Sequence, residues 1–208
     1  MRELKYIAVE GPIGVGKTTL SKRLTETMGS ELLLESPETN PFLEKFYQQP
    51  DVYALPTQLC FLLQRARQID GLRQRDLFQS GIVADFLFDK DRVFAQLTLN
   101  GHEWDLYDQI YQRLAWEAPV PDLVIYLHAS VDVLVRRVHK RARKAEEAMS
   151  AEYLDRVARS YATFFRDYRA APLITVNAEH FDLVNRQEDY NALLDAMSAV
   201  RLIVNLHS

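Results

Sequence analysis

Near the start of the chain a short apolar run, LKYIAV, gives way to the loop GPIGVGKTT, and helix formers follow from Lys17 to Met28. No other feature restricts the fold as strongly. Gly11, Gly16, Lys17 and Thr18 fill the pattern G-x-x-x-x-G-K-[ST]. In such a loop backbone N–H groups approach phosphate oxygens closely, and the following helix turns its positive end toward the same anion. The loop, Gly11 with Pro12, Ile13, Gly14, Val15, Gly16, Lys17, Thr18 and Thr19, is expected to hold ATP or another nucleoside triphosphate. Lys17 is expected to reach the β- and γ-phosphates, and the Thr18 hydroxyl to join a magnesium shell. A loop of this kind needs a buried strand before it and a helix after it.

The rest of the chain repeats that alternation. ELLLE, GIVADFLF, PDLVIYLHA and APLITVN read as further strands at residues 31–35, 81–88, 121–129 and 171–177. Between them lie helical patterns. Gly29 stops the first; Asn40 is expected to cap a second with Pro41 at its first position; LPTQLCFLLQRARQIDGL suggests one long helix; Ser130 caps another. The last twenty residues read as an amphipathic helix. The expectation is an α/β fold: a five-stranded parallel sheet flanked by helices, in one domain over residues 1–208. Cys60, the single cysteine, lies in the apolar run LCFLL and reads as a core residue.

The loop does not say what receives the phosphoryl group. A guanine-reading N-K-x-D tetrad is absent, and 208 residues leave no room for the modules of a mechanical ATPase. Net charge −4 gives no ground for a nucleic-acid partner. No apolar run approaches the ~20 residues that span a bilayer, and the start does not resemble a secretion signal, so a cytoplasmic location is expected. The histidines show no ligand spacing. A compact kinase of a small acceptor is left. Its base belongs at the end of a strand beside the loop, where Glu35 stands; on local sequence alone that residue also reads as a solvated strand-end acid.

The segments LLESPETNPFLEKFY, LPTQLCFLLQRARQ, DKDRVFA and KRARKAEE, read together and in order, resemble the deoxynucleoside kinase family and its bacterial branch, from about Leu4 to Phe181. The resemblance implies that Glu35, opening Glu35-Ser36-Pro37, is the base that accepts the proton of a nucleoside 5′-hydroxyl. It implies that Tyr47 bonds the 3′-hydroxyl and that Gln58, eleven residues on, reads the base with Arg65. Asp91 aligns with a base-contacting aspartate. Asp85 corresponds to the acid of a Glu-Arg-Ser motif and is expected to organise magnesium through water. Here the pattern breaks: Phe86 and Leu87 stand where many relatives have arginine and serine, and Arg92 is a candidate to fill the gap.

The densest positive cluster, RRVHKRAR, reads either as a solvated helix face or as a clamp on phosphate oxygens. The order Arg137, Arg141, Arg143 resembles the family's arginine-rich lid, here about residues 137–149, with Arg141 and Arg143 as catalytic candidates and Arg137 at the donor. Glu146, with Glu147 one place away, matches the lid acid that meets the 3′-hydroxyl. Phe181 is expected either to stack on the donor base or to pack in the core. The resemblance further implies a homodimer and leans toward purine acceptors. Two other readings stand beside it: a thymidylate-kinase-like enzyme whose acceptor is already phosphorylated, and a regulatory module that uses ATP as a switch.

Overall fold

Tyr6, Ile7, Ala8 and Val9 are all buried, as expected of a strand with neighbours on both edges and helices on both faces. That strand, β1 (Tyr6–Glu10), is the centre of a computed structural model that describes residues 4–74, 81–115, 118–143 and 146–206. The helix α1 (Lys17–Met28) follows the glycine loop, then β2 (Glu31–Leu33), a 3₁₀ turn at Pro37–Thr39, α2 (Leu43–Gln48) and α3 (Pro50–Gln74). Next come β3 (Ile82–Ala84), α4 (Lys90–Thr98), α5 (Gly101–Ala115) and β4 (Leu123–His128). The chain ends with α6 (Val131–Arg141), α7 (Ala151–Arg166), β5 (Leu173–Asn177) and α8 (Gln187–Leu206).

The sheet runs β2-β3-β1-β4-β5, every pair parallel. Ile7 pairs with Val83 on one side and Leu123 on the other. Asp122 helps set that register, its Oδ2 accepting from the Lys5 and Tyr6 N–H groups at 2.8 and 2.9 Å. Alternate residues face opposite layers. Ile7, Val9, Ile125 and Leu127 pack with Leu20 and Leu24 of α1 and Leu193 and Met197 of α8. Ala8, Val124 and Tyr126 pack on the other face with Val93 of α4 and Val157, Tyr161 and Phe165 of α7. A satellite cluster joins Leu62 and Ile69 of α3 to Tyr107 and Tyr111 of α5. No helix among the described residues is long and apolar enough to cross a membrane.

The first helix falls at Lys17–Met28, with Gly29 at its C-cap in the left-handed region, φ 62°. Three local expectations are corrected. Asn40 does not cap a helix beginning at Pro41. Its Oδ1 accepts from the Phe42 N–H at 3.1 Å and its Nδ2 donates to the Thr57 carbonyl at 3.1 Å, so its side chain builds a turn and α2 starts at Leu43. Ser130 precedes α6 as expected, but its side chain makes no cap bond, and its N–H donates to Glu179 Oε2 at 3.1 Å. The second and third strands are shorter than their apolar runs. Beyond Ala84 the Leu87 N–H leaves the ladder and donates to Glu10 Oε2 at 2.7 Å, so Phe86, Leu87 and Phe88 are buried in a turn.

Candidate active site

The glycine loop crosses the end of β1 so closely that a Cβ on Gly11 would lie 2.2 Å from the Leu127 carbonyl oxygen of β4. Gly14, at φ +84°, sits against α6, where a Cβ would meet Val138 Cγ2 at 2.8 Å. These close approaches seat the loop against β4 and α6. Lys17 folds back over the cradle, its Nζ donating to the Gly11 and Pro12 carbonyls at 2.6 and 3.3 Å. Burial lowers the Lys17 pKa, an effect that Glu10, Glu35 and Asp85 oppose.

Across a small cavity of about 110 Å³ from Lys17 and Thr18 stands Glu35. Its backbone is held there by Asp85, just past β3, whose Oδ1 accepts from the Glu35 N–H at 2.7 Å. The second oxygen of Asp85 accepts from the Thr18 hydroxyl at 2.5 Å. The Glu35 carboxylate accepts from Arg65 Nη2 through Oε1 and from Lys90 Nζ, at 2.8 Å, through Oε2. Burial alone would raise the Glu35 carboxyl, but Arg65 and Lys90 outweigh it and hold the group well below the usual carboxylate range.

Arg65 spans two acids, its Nη1 donating to Asp91 Oδ1. Asp91 is 1% exposed, and its Oδ2 has no hydrogen-bond partner. Gln58 lies on the same helix as Arg65 and is buried; its Nε2 donates to Thr98 Oγ1 at 3.2 Å. Because the Thr98 hydroxyl itself donates to the Phe94 carbonyl at 2.8 Å, it meets Gln58 as an acceptor. Tyr47 packs edge-on to Tyr153, ring centres 5.9 Å apart, and both line the cavity. The structure thus brings Glu35, Tyr47, Gln58, Arg65, Asp85 and Asp91 around one cavity with Lys17 and Thr18 of the loop.

Arg141 at the end of α6, with Arg143 and Glu146 beyond it, also lines the cavity. Arg141 Nη2 donates to Glu146 at 2.5 and 2.6 Å, and Arg143 lies 3.9 Å from the same carboxylate. Residues 144 and 145 of the expected lid lie outside the described residues. Arg137 braces the fold here, donating to the Val15 carbonyl at 3.0 Å and the Ala178 carbonyl at 2.8 Å. A second, larger cavity of about 890 Å³ also borders the loop, lined by Thr19, Arg137 and Phe181 among others. Phe181 is 44% exposed and is not a core residue.

Arg92 does not fill the place left by Phe86. It pairs with Asp108 at 2.9 Å and lies over the rings of Trp104 and Tyr111, on the α5 side. Beside Arg65, the cation that reaches Glu35 is Lys90, which lies two residues before Arg92 and which the sequence pattern did not single out. Glu10 was also missed. It is fully buried, accepting from the Gly11 N–H at 2.8 Å and the Tyr161 hydroxyl at 3.0 Å. An acid closing an otherwise apolar buried run, YIAVE, was the available signal for it.

A parallel sheet with a phosphate cradle at the end of its central strand, facing a wall of polar side chains across a cavity, defines a P-loop phosphotransferase of a small acceptor. More narrowly, the chain belongs to the deoxynucleoside kinase family, whose model matches residues 7–202. Its members are ATP-dependent phosphotransferases that act on deoxynucleosides. The deoxyguanosine kinase of Bacillus subtilis (strain 168) is 31% identical over 93% of this chain and 96% of its own length. The deoxyadenosine/deoxycytidine kinase of the same organism is 27% identical over 93% of this chain and 92% of its own. Among solved structures, deoxyadenosine kinase from M. mycoides with bound dATP superposes with a TM-score of 0.80, covering 93% of this chain and 99% of that one at 23% identity, a likeness of fold.

Proposed function

We propose that the chain transfers the γ-phosphoryl group of ATP to the 5′-hydroxyl of a purine deoxynucleoside, with Glu35 as general base. One observation carries this reading: Glu35 lines the same cavity as Lys17 and Thr18. In the reaction the acceptor oxygen bonds to the γ-phosphorus, its proton passes to Glu35, and ADP leaves. Base assistance of this kind is worth about 10²- to 10⁴-fold in rate. Tyr47 and Glu146 hold the sugar 3′-hydroxyl, and Gln58, Arg65 and Asp91 meet the nucleobase. The partnerless Asp91 Oδ2 supports the last role, since a buried acceptor calls for a donor such as an exocyclic amine. The purine assignment is supported by the names of relatives called deoxyguanosine kinase and deoxyadenosine kinase.

The glycine loop and Lys17 hold the triphosphate, with Arg137 and Phe181 toward the donor's outer parts. Arg141 and Arg143 exchange Glu146 for the phosphoryl oxygens as the lid, about residues 137–149, closes and excludes water. The Thr18 hydroxyl and Asp85 carboxylate form an all-oxygen pair that fits a hard cation, and they would hold magnesium directly or through water. Among the described residues no group of three or more His, Cys, Asp or Glu side chains could ligate a metal, so the remaining ligands would be phosphate oxygens and water. Magnesium held there would offset charge on the transferring group. A single domain over residues 1–208, a cytoplasmic location and a homodimer complete the proposal.

The test is a panel of radiolabelled ATP with the four deoxynucleosides, products identified chromatographically. Deoxyguanosine or deoxyadenosine 5′-monophosphate as main product is expected. A diphosphate formed only from an added monophosphate would overturn it.

A further inference from the structure

Lys90 is a buried ammonium on the wall of the acceptor cavity, its side chain 2% exposed, with Nζ 2.8 Å from Glu35 Oε2 and 3.7 Å from Glu10 Oε2. A charge so enclosed is costly unless it is paired, and two carboxylates pair it. Glu35 in turn has a cation on each oxygen, Arg65 on Oε1 and Lys90 on Oε2. Each of these oxygens keeps a second lone pair, so an acceptor hydroxyl can join either one and a cation can withdraw without leaving the carboxylate bare.

Arg65 is poorly placed to do so. Its other nitrogen is engaged by Asp91 Oδ1, and its guanidinium lies 5.2 and 5.9 Å from the ring centres of Phe61 and Phe86. Lys90 ends a flexible stem, and its second contact, with Glu10, is long. The base of that stem is fixed, because Glu10 Oε2 also accepts from the Leu87 N–H at 2.7 Å and so ties the turn before α4 to the end of β1. Lys17 and Thr18 of the phosphate cradle line the same cavity as Lys90.

We propose that Lys90 is a catalytic residue that leaves Glu35 Oε2 for the terminal phosphoryl oxygens once the triphosphate is seated. This rests on Glu35 serving as the base. As the acceptor oxygen bonds to the γ-phosphorus, the bond from that phosphorus to the β,γ-bridging oxygen breaks and its electron pair leaves with ADP. The hydroxyl proton goes to Glu35. Lys90 keeps its own proton throughout and offsets the charge on the equatorial oxygens.

The experiment is rapid-quench single-turnover transfer from radiolabelled ATP, with deoxynucleoside binding measured separately at equilibrium. Lys90→Met is expected to slow transfer about 10²- to 10³-fold while deoxynucleoside affinity stays within about threefold. Lys90→Arg is expected to recover about tenfold or more of that loss. In a Glu35→Gln background, Lys90→Met should cost about a further tenfold or more, because the ammonium still serves the phosphoryl oxygens. No additional loss there would confine Lys90 to holding the carboxylate and overturn the proposal. So would transfer by Lys90→Met within about threefold of the parent enzyme. Near-normal transfer by Glu35→Gln alone is a different result and would remove the base role itself. Should circular dichroism show that Lys90→Met does not fold, Lys90→Gln, neutral and able to donate to both carboxylates, undergoes the same assay.

Discussion

The Thr18 hydroxyl donates to Asp85 Oδ2 at 2.5 Å, which ties the first turn of the phosphate-cradling helix to the residue just past β3. Through its other oxygen Asp85 accepts the Glu35 N–H, so one carboxylate sets the spacing between the cradle and the proposed base. Asp85→Asn keeps the shape but loses the charge and one acceptor. It is expected to raise the magnesium concentration for half-maximal activity about 10- to 100-fold, read from a magnesium titration of the initial rate.

Glu35→Gln is expected to lower kcat about 10²- to 10⁴-fold with the far-ultraviolet circular dichroism unchanged. The amide keeps one acceptor for Arg65 or Lys90 but cannot take the proton. Steady-state kinetics at saturating ATP and deoxynucleoside check this.

Tyr47→Phe should leave the edge-on packing against Tyr153 in place and remove only the hydroxyl. The ratio of kcat/KM for a deoxynucleoside over its 3′-deoxy analogue is expected to fall about tenfold. An unchanged ratio would remove Tyr47 from the sugar site.

Gly14→Ala forces a side chain into φ +84° and within 2.8 Å of Val138 Cγ2. The expected loss is about 1–3 kcal/mol, or about 2–4 °C of Tm per kcal/mol for a chain of this size. Calorimetry measures it.

Arg92→Ala removes a partly exposed ion pair with Asp108 and nothing in the cavity. Transfer should stay within about threefold and stability within about 1 kcal/mol, in contrast to the loss expected at Lys90.

The sheet and the cradle were legible because their determinants are local: an apolar run, glycines at fixed offsets and a Gly29 stop. The wall of the cavity was legible only through spacing, as with Tyr47, Gln58 and Arg65, whose separations carry over from one resembling chain to another. What escaped depends on contacts between distant segments. Asn40 has the composition of a helix cap, yet Thr57, seventeen residues on, draws its amide away. Lys90 stands in the charged string DKDR beside Asp91 and Arg92, and nothing in that string marks it out until the turn around Leu87 carries it inward. Phe86 was seen as a missing arginine. In the fold it is one of the aromatic rings beside the Arg65 guanidinium.

Among the described residues the two cavities share only Gly14, Lys17, Thr18, Arg141 and Arg143, the groups proposed to handle phosphates. On the proposed reading, the side chains that would tell one acceptor from another line the smaller cavity, and those that would tell donors apart line the larger. Selectivity at either end is therefore free to drift by substitution without retuning its opposite, which suits a scaffold whose relatives carry the names of different nucleosides while keeping a common phosphate-handling centre.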